Sequence, residues 1–163
     1  RDNGGGSLTY SDRIASRFLE EKITTGYILH KTGTGHNDFS APYELTLAPS
    51  DRVRWLRPVI VLTNRHCFSA TNDFINKMGM MPHATIMGDR TGGGSGFPFS
   101  SELPNGWSVR FSASPMLNAS NEHTEFGIDP DIKVDMTSED MLRGKDTMID
   151  EALALIEKMN IKI

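Results

Sequence analysis

Ser69 is the residue of this sequence that is best placed to do chemistry. It follows the apolar stretch 58–63, which is typical of a buried strand, and precedes residues 70–78, whose pattern predicts a helix. A turn from strand to helix exposes a hydroxyl, and the N–H groups of the helix N-terminus point at whatever that hydroxyl attacks. The amide of Ala70 would then face the same oxyanion. Ser is also a common N-cap residue, so the junction alone favours a capping role.

Three further segments have the composition of functional loops. Residues 2–6 end on three glycines, which let the backbone turn sharply and present N–H groups to a developing oxyanion. Residues 88–94 lack the Gly-Lys-Ser/Thr ending of a phosphate-binding loop, which argues against nucleotide binding. Residues 125–132 place the carboxylate of Glu125 before a tight turn and a short strand. Each of these segments, taken singly, is most simply an ordinary loop.

The elements that position these segments alternate along the chain, which predicts an α/β fold with helices on a mostly β core. We expect a first helix capped by Ser7 or Thr9, whose apolar face runs from Ile14 to Ile23. Residues 32–54 form a long polar excursion, and such lengths are often functional. The final helix has Thr147 as its expected N-cap. The strands are predicted at 26–30, 58–63, 84–87, 107–113 (half-buried) and 132–134.

Composition excludes several classes of partner. The 163 residues suit one soluble domain, and a net charge of −4 without a basic block disfavours nucleic acid and anionic membranes. No apolar run reaches the length of a membrane span. Cys67 is alone and the five histidines lack a metal-ligand spacing, so we expect no disulfide and no metal site. A start at Arg1 directly before a glycine turn suggests a piece of a longer protein.

In this order, the segments resemble the C-terminal processing (tail-specific) peptidases and the tricorn core protease of serine peptidase family S41. The matching stretches are 1–6, 58–74, 87–93 and 127–134. The resemblance implies a ClpP/crotonase-like α/β core with a mixed β-sheet flanked by helices. Residues 1–163 would be the C-terminal part of the catalytic domain. It also implies protein or peptide substrates, no cofactor, and a periplasmic or cell-envelope location.

The resemblance also assigns roles to residues. Ser69 aligns with the nucleophile of a Ser-Ala-x-Glu/Asn signature, and the amides of Ala70 and of the glycine turn, with Gly5 as first choice, would form the oxyanion hole. Many processing peptidases carry a general-base Lys where this chain has Gly94. Lys77 is a poor substitute, because eight helical residues separate it from Ser69 by about 12 Å along the axis.

A pattern without this Lys is similar to the tricorn-like branch, in which a His is the base and a Glu joins the site. Glu125 is the expected Glu, with Glu122 as a second choice one register away. The base would come from sequence upstream of Arg1, so this piece alone should be inactive. We interpret His66 as a rim residue, and His36, in the long polar excursion, as a candidate substrate contact.

Three functions remain to be compared. The first is an endopeptidase that works through an acyl-enzyme on Ser69. The second is a non-catalytic peptide-binding domain with a degenerate peptidase fold, which the missing Lys and His favour. The third is an acyl-CoA enzyme of the crotonase type, against which the Ser-Ala-Thr-Asn run at 69–72 and the Gly-Ile-Asp-Pro-Asp-Ile run at 127–132 both count.

Overall fold

The computed structural model describes residues 1–159, which form an α/β fold. None of the helices in this range is long and apolar enough to cross a membrane. The helices are α1 (Leu8–Ala15, followed by a 3-10 turn at Ser16–Phe18), α2 (Ala70–Met78), α3 (Ser138–Leu142) and α4 (Thr147–Lys158). The strands are β1 (Ile23–Ile28), β2 (Tyr43–Leu47), β3 (Val59–Thr63), β4 (Ala84–Gly88), β5 (Pro98–Glu102), β6 (Ser108–Ser112), β7 (Met116–Asn118) and β8 (Ile132–Lys133).

These strands form three small sheets. The first is antiparallel with the order β2-β1-β7, the second is parallel with the order β3-β4-β8, and the third is the hairpin β5–β6. The predicted α/β class with both parallel and antiparallel pairing is confirmed. The two kinds of pairing lie in different sheets of the described residues.

The core lies between the parallel sheet and the helices α1 and α2, which pack against each other. β3 is apolar from Val59 to Leu62, as expected of a strand in a parallel sheet whose faces are covered. It runs directly into the turn 64–69, so α2 starts at the carboxyl end of the sheet. The buried apolar cluster consists of Ala15, Leu19, Leu47, Ile75, Met78, Met81 and Ile86.

Several predicted boundaries were wrong. Ile23 lies in β1 instead of on the face of α1, because the helix ends at Ala15 and only a short 3-10 turn follows. The polar excursion 32–54 contains β2, whose partner is β1. The N-cap of α4 is Asp146, which accepts the N–H of Ile149 at 3.1 Å, instead of Thr147.

The hairpin β5–β6 also differs from expectation. β6 was expected to be half-buried, but Trp107 and Phe111 are exposed, and β5 was not predicted. A two-stranded hairpin has no covering layer of its own. Phe111 instead packs edge-on against Phe99 of β5, with ring centroids 4.3 Å apart. The hairpin is therefore exposed along nearly its whole length.

Candidate active site

Ser69 has a strained backbone at the junction of β3 and α2. Its φ of 58° and ψ of −124° are rare for a residue with a side chain. Ser69 occupies the N-cap position, but its side chain makes no capping hydrogen bond. The hydroxyl is therefore not used for capping, which is the role that the junction alone favoured.

Two other segments hold this turn in place. The N–H of Ser69 donates to the carbonyl of Gly93 at 2.8 Å, and the N–H of Phe68 donates to the carbonyl of Asn3 at 3.2 Å. Both loops that the sequence singled out, the glycine turn and residues 88–94, thus bind directly to the serine turn. The strained conformation is fixed by long-range backbone contacts.

Ser69 lies where two cavities of about 410 and 480 Å³ adjoin, and we call the two together the Ser69 cleft. The smaller cavity extends towards Asp73 of α2, and the larger one towards Glu125. Both are lined by Gly6, Ser69, Gly94, Pro98 and Arg110. Open space therefore lies next to Ser69 on the side of α2 and on the side of Glu125.

The glycine turn packs against the serine turn so closely that only Gly fits at residue 5. A Cβ on Gly5 would lie 2.4 Å from the carbonyl oxygen of Phe68 and 2.8 Å from the amide nitrogen of Ala70. The φ of Gly5, +96°, is also a conformation that side chains disfavour. Residue 5 is therefore where two backbones touch.

The N–H of Gly5 is not free, contrary to its expected role as an oxyanion donor. It donates to Oδ1 of Asn3 at 3.0 Å, because the Asn side chain folds back on the turn two residues ahead. Gly6 instead lines both parts of the Ser69 cleft, and its N–H has no acceptor within residues 1–159. The N–H of Ala70, at the start of α2, likewise has no acceptor within the described range.

Glu125 lines the Ser69 cleft, and Glu122 does not. Oε1 of Glu125 accepts the hydroxyl of Ser112 at 2.8 Å, and the carbonyl of Glu125 accepts the N–H of Gly94 at 2.9 Å. Glu122 belongs to the turn after β7, where Oε2 accepts from Nδ2 of Asn118 at 2.9 Å. Of the two carboxylates considered from the sequence, the structure brings Glu125 together with Ser69.

A buried polar network, which the sequence reasoning did not predict, connects α2 to the loops of the site. Nδ2 of Asn72 donates to Oγ of Ser95 at 2.6 Å and to the carbonyl of Thr124 at 2.9 Å. Oδ1 of Asn72 accepts from Oγ1 of Thr91 at 2.6 Å, and that oxygen accepts the N–H of Ile128 at 2.7 Å. The network positions both Gly94 and Glu125. The sequence signal for it is Asn72, the last residue of the Ser-Ala-Thr-Asn run at 69–72.

Neither Lys77 nor the position of Gly94, where many processing peptidases have a Lys, provides a base to Ser69. Nζ of Lys77 donates to Asp12 at 2.6 Å and to Asp73, which also accepts the hydroxyl of Ser11 at 2.7 Å. This ammonium is buried in an ion-paired cluster beneath the cleft. At residue 94, a Cβ would lie 2.3 Å from the ring of Phe68. A side chain at residue 94 would therefore need the Phe68 ring to move and would also be strained by the φ of +82°.

The candidate histidines lie outside the Ser69 cleft. His36 lines a larger cavity of about 900 Å³, rich in Phe side chains, which shares Ser112 and Glu125 with the cleft. The side chain of His66 is 80% exposed, with Nδ1 3.6 Å from Oδ1 of Asp2. Within residues 1–159, no side chain hydrogen-bonds to Oγ of Ser69. Among the described residues, the hydroxyl of Ser69 thus has no side-chain base in contact with it.

A serine on a strained strand–helix turn, with free backbone amides and a carboxylate in one cleft, defines an arrangement suited to acyl transfer. Residues 1–134 match the model of peptidase family S41, and the chain belongs to this family.

Similar proteins agree with this assignment. A candidate peptidase from Parabacteroides merdae, known from its crystal structure, is 68% identical, with a TM-score of 0.92 over 96% of this chain and 50% of that one. Mature CPAF shares the fold, with a TM-score of 0.75 at 18% identity over 85% of this chain and 38% of that one. A protein of Chlamydia trachomatis is 28% identical over 138 residues, which are 79% of this chain and 23% of that protein. The chain thus spans half of the Parabacteroides chain and about a quarter of the Chlamydia protein.

Proposed function

We propose that this chain carries the nucleophile of a serine endopeptidase, which cleaves proteins or peptides through an acyl-enzyme on Ser69. The observation that carries the proposal is the strained turn of Ser69, whose hydroxyl caps nothing and opens into a cleft. Backbone strain of this kind costs about 1–3 kcal/mol and persists where surrounding contacts enforce it, often at functional sites. Membership of peptidase family S41 supports the same chemistry.

In this mechanism, the base takes the proton of Ser69 as Oγ attacks the scissile carbonyl, and the N–H of Ala70 stabilises the oxyanion. The C–N bond then breaks as the base returns the proton to the leaving amine, and water hydrolyses the acyl-enzyme. Gly6 is the better candidate than Gly5 for the second donor, because the Gly5 amide already donates to Asn3. Removal of one such donor typically lowers the rate about 10²- to 10³-fold. Glu125 orients or stabilises the base from the far side of the cleft.

The general base comes from outside residues 1–163 in this proposal. The absence of any side chain hydrogen-bonded to Ser69 Oγ within the described range supports it, as does the family match to proteins much longer than this chain. A His is the expected base, by resemblance to the tricorn-like branch. An extracytoplasmic location, periplasmic or in the cell envelope, is also proposed on resemblance alone, and fractionation of the producing cells tests it.

The test uses a fluorophosphonate probe, which forms a bond from phosphorus to an activated serine Oγ as fluoride leaves. We expect labelling of Ser69 in the whole protein and none in the Ser69→Ala variant. The exposed Ser101 of β5 provides a matched control, Ser101→Ala, which should label normally. Peptide hydrolysis should fall about 10⁴- to 10⁶-fold in Ser69→Ala. Absence of labelling in the folded whole protein would contradict the proposal.

The second candidate function is a peptide-binding domain without turnover. The observation in its favour is that Ser69 Oγ has no base in the described part of the chain. Residues 1–163 alone should neither label nor cleave casein under either function. Ser69-dependent cleavage by this piece would show that the base lies within it, and peptide binding by an unlabelled whole protein would favour the binding domain.

A further inference from the structure

Arg110 lines the Ser69 cleft and has no ion-pair partner among residues 1–159. It is the third residue of β6, its side chain is exposed, and it lines both parts of the cleft together with Ser69. The ion pairs of residues 1–159 do not include Arg110, and no side-chain hydrogen bond of this range involves it.

Each acidic group that lines the cleft accepts a hydrogen bond from a donor other than Arg110. Oδ2 of Asp73 accepts from Lys77 and Ser11 beneath the smaller cavity, and Oε1 of Glu125 accepts from Ser112 in the larger one. Both carboxylates therefore have donors of their own, and the guanidinium of Arg110 remains available. A guanidinium binds a carboxylate with two parallel N–H···O bonds, which an ammonium cannot match.

We propose that Arg110 binds a carboxylate of the peptide substrate close to the scissile bond, so that the site prefers an acidic group there. The proposal rests on the proposed function of the cleft. A cavity of 480 Å³ corresponds to a sphere about 10 Å across. Since an extended chain advances at most about 3.5 Å per residue, the carboxylate lies within about three residues of the bond that Ser69 attacks.

The carboxylate has two sources, an Asp or Glu side chain or the C-terminus of a short peptide. Both are tested by equilibrium binding of fluorescent peptides to the whole protein carrying Ser69→Ala, so that no turnover is needed. One set of peptide pairs differs only by Asp against Asn at successive positions. The other set has a free or an amidated C-terminus.

We expect the acidic member of a pair to bind better, and Arg110→Gln to reduce this preference about fivefold, since a partly exposed ion pair contributes modestly. Arg110→Glu should reverse the preference, and high salt should weaken it in the unchanged cleft. The exposed Arg57, which does not line the cleft, provides the control Arg57→Gln with the same change of charge. That control should leave the preference unaltered.

Each result decides between the two proposals. An Arg110-dependent preference in either set supports the inference and identifies the carboxylate. Equal binding of acidic and neutral peptides by the Arg110→Gln variant and its parent overturns it, even where the neutral fluorophosphonate labels Ser69. An Arg110-dependent preference without labelling of Ser69 overturns the peptidase proposal alone. No binding of any peptide overturns the inference.

Discussion

Substitution of Asn72 by Ala tests whether the buried network holds the site together. The Asn72 side chain is 0% exposed and makes three hydrogen bonds, to Ser95, Thr124 and Thr91. These partners lie on the two loops that carry Gly94 and Glu125. Removal of the amide leaves buried polar groups unpaired and opens a small cavity in helix α2's packing.

The expected loss of stability follows from the number of hydrogen bonds that the substitution removes. Each intramolecular hydrogen bond contributes about 0.5–1.5 kcal/mol net, and unpaired buried groups cost more. Three bonds and a cavity together give a loss of about 3–5 kcal/mol in the free energy of unfolding. That is a large share of the roughly 5–15 kcal/mol of a typical domain.

The matched control is Asn76→Ala, one turn further along the same helix. Asn76 is half-buried and its Nδ2 donates once, to the carbonyl of Thr25 at 2.9 Å. Loss of this single bond should cost about 1 kcal/mol. The same residue change on the same helix therefore separates the network from general effects of losing an Asn.

The assay is urea unfolding of residues 1–163 followed by far-UV circular dichroism. A difference of less than about 1 kcal/mol between the unfolding free energies of the two variants would refute the reasoning, since the loss of three hydrogen bonds would then cost no more than the loss of one. An Asn72→Ala chain that stays unfolded without urea agrees with it, provided that Asn76→Ala folds. In the whole protein, fluorophosphonate labelling of Ser69 should slow in Asn72→Ala more than in Asn76→Ala.

Two further predictions concern the glycine turn and its attachment. Gly5→Ala should lower the free energy of unfolding by about 2–4 kcal/mol, because residue 5 has a positive φ and its Cβ would lie 2.4 Å from a backbone oxygen. The control is Gly4→Ala, whose Cβ would have no atom within 4 Å. It should change the free energy of unfolding by less than about 0.5 kcal/mol. Urea unfolding measures both, and equal losses would contradict the packing argument. A hydrogen bond from Arg1 lowers the pKa of Asp146 to about 2, below its value in the unfolded chain. The ion pair therefore stabilises the fold at neutral pH, and this contribution is lost as pH falls from about 4 towards 2. Asp146→Asn keeps an N-cap oxygen but loses the ion pair, so at pH 7 it should melt at a lower temperature than its parent. The difference in melting temperature should disappear towards pH 2. A difference that does not change with pH would exclude the ion pair as the cause.

The features of the site that depend on local sequence patterns could be predicted. The apolar run before Ser69 and the helical pattern after it are local, so the strand–helix junction was evident, and its position at 69 is as the structure has it. The order of the four matching stretches was enough to indicate the family. These signals describe which residues could react, without describing what contacts them.

The remaining features depend on contacts between distant segments. β2 lies in a polar segment and is a strand because β1 offers its edge. The exposure of β6 follows from the missing layer over its hairpin, which no alternation of residues reveals. The N–H of Gly5 is taken by Asn3 because of one side-chain rotamer. Asn72 bonds to residues 19, 23 and 52 positions away, so its role is invisible before folding.

The backbone strain at Ser69 links these distant contacts to chemistry. A serine at φ 58° is unfavourable by about 1–3 kcal/mol, and nothing local compensates for it, since its own side chain does not cap α2. The compensation comes from Gly93, which accepts the Ser69 N–H, and from Asn3, which accepts the N–H of Phe68. Release of either loop would let the turn relax and would withdraw the hydroxyl from the cleft. The conformation of Ser69 therefore depends on three assembled segments. If Ser69 is the nucleophile, as we propose, a substitution in either loop should slow its labelling by fluorophosphonate without changing Ser69 itself.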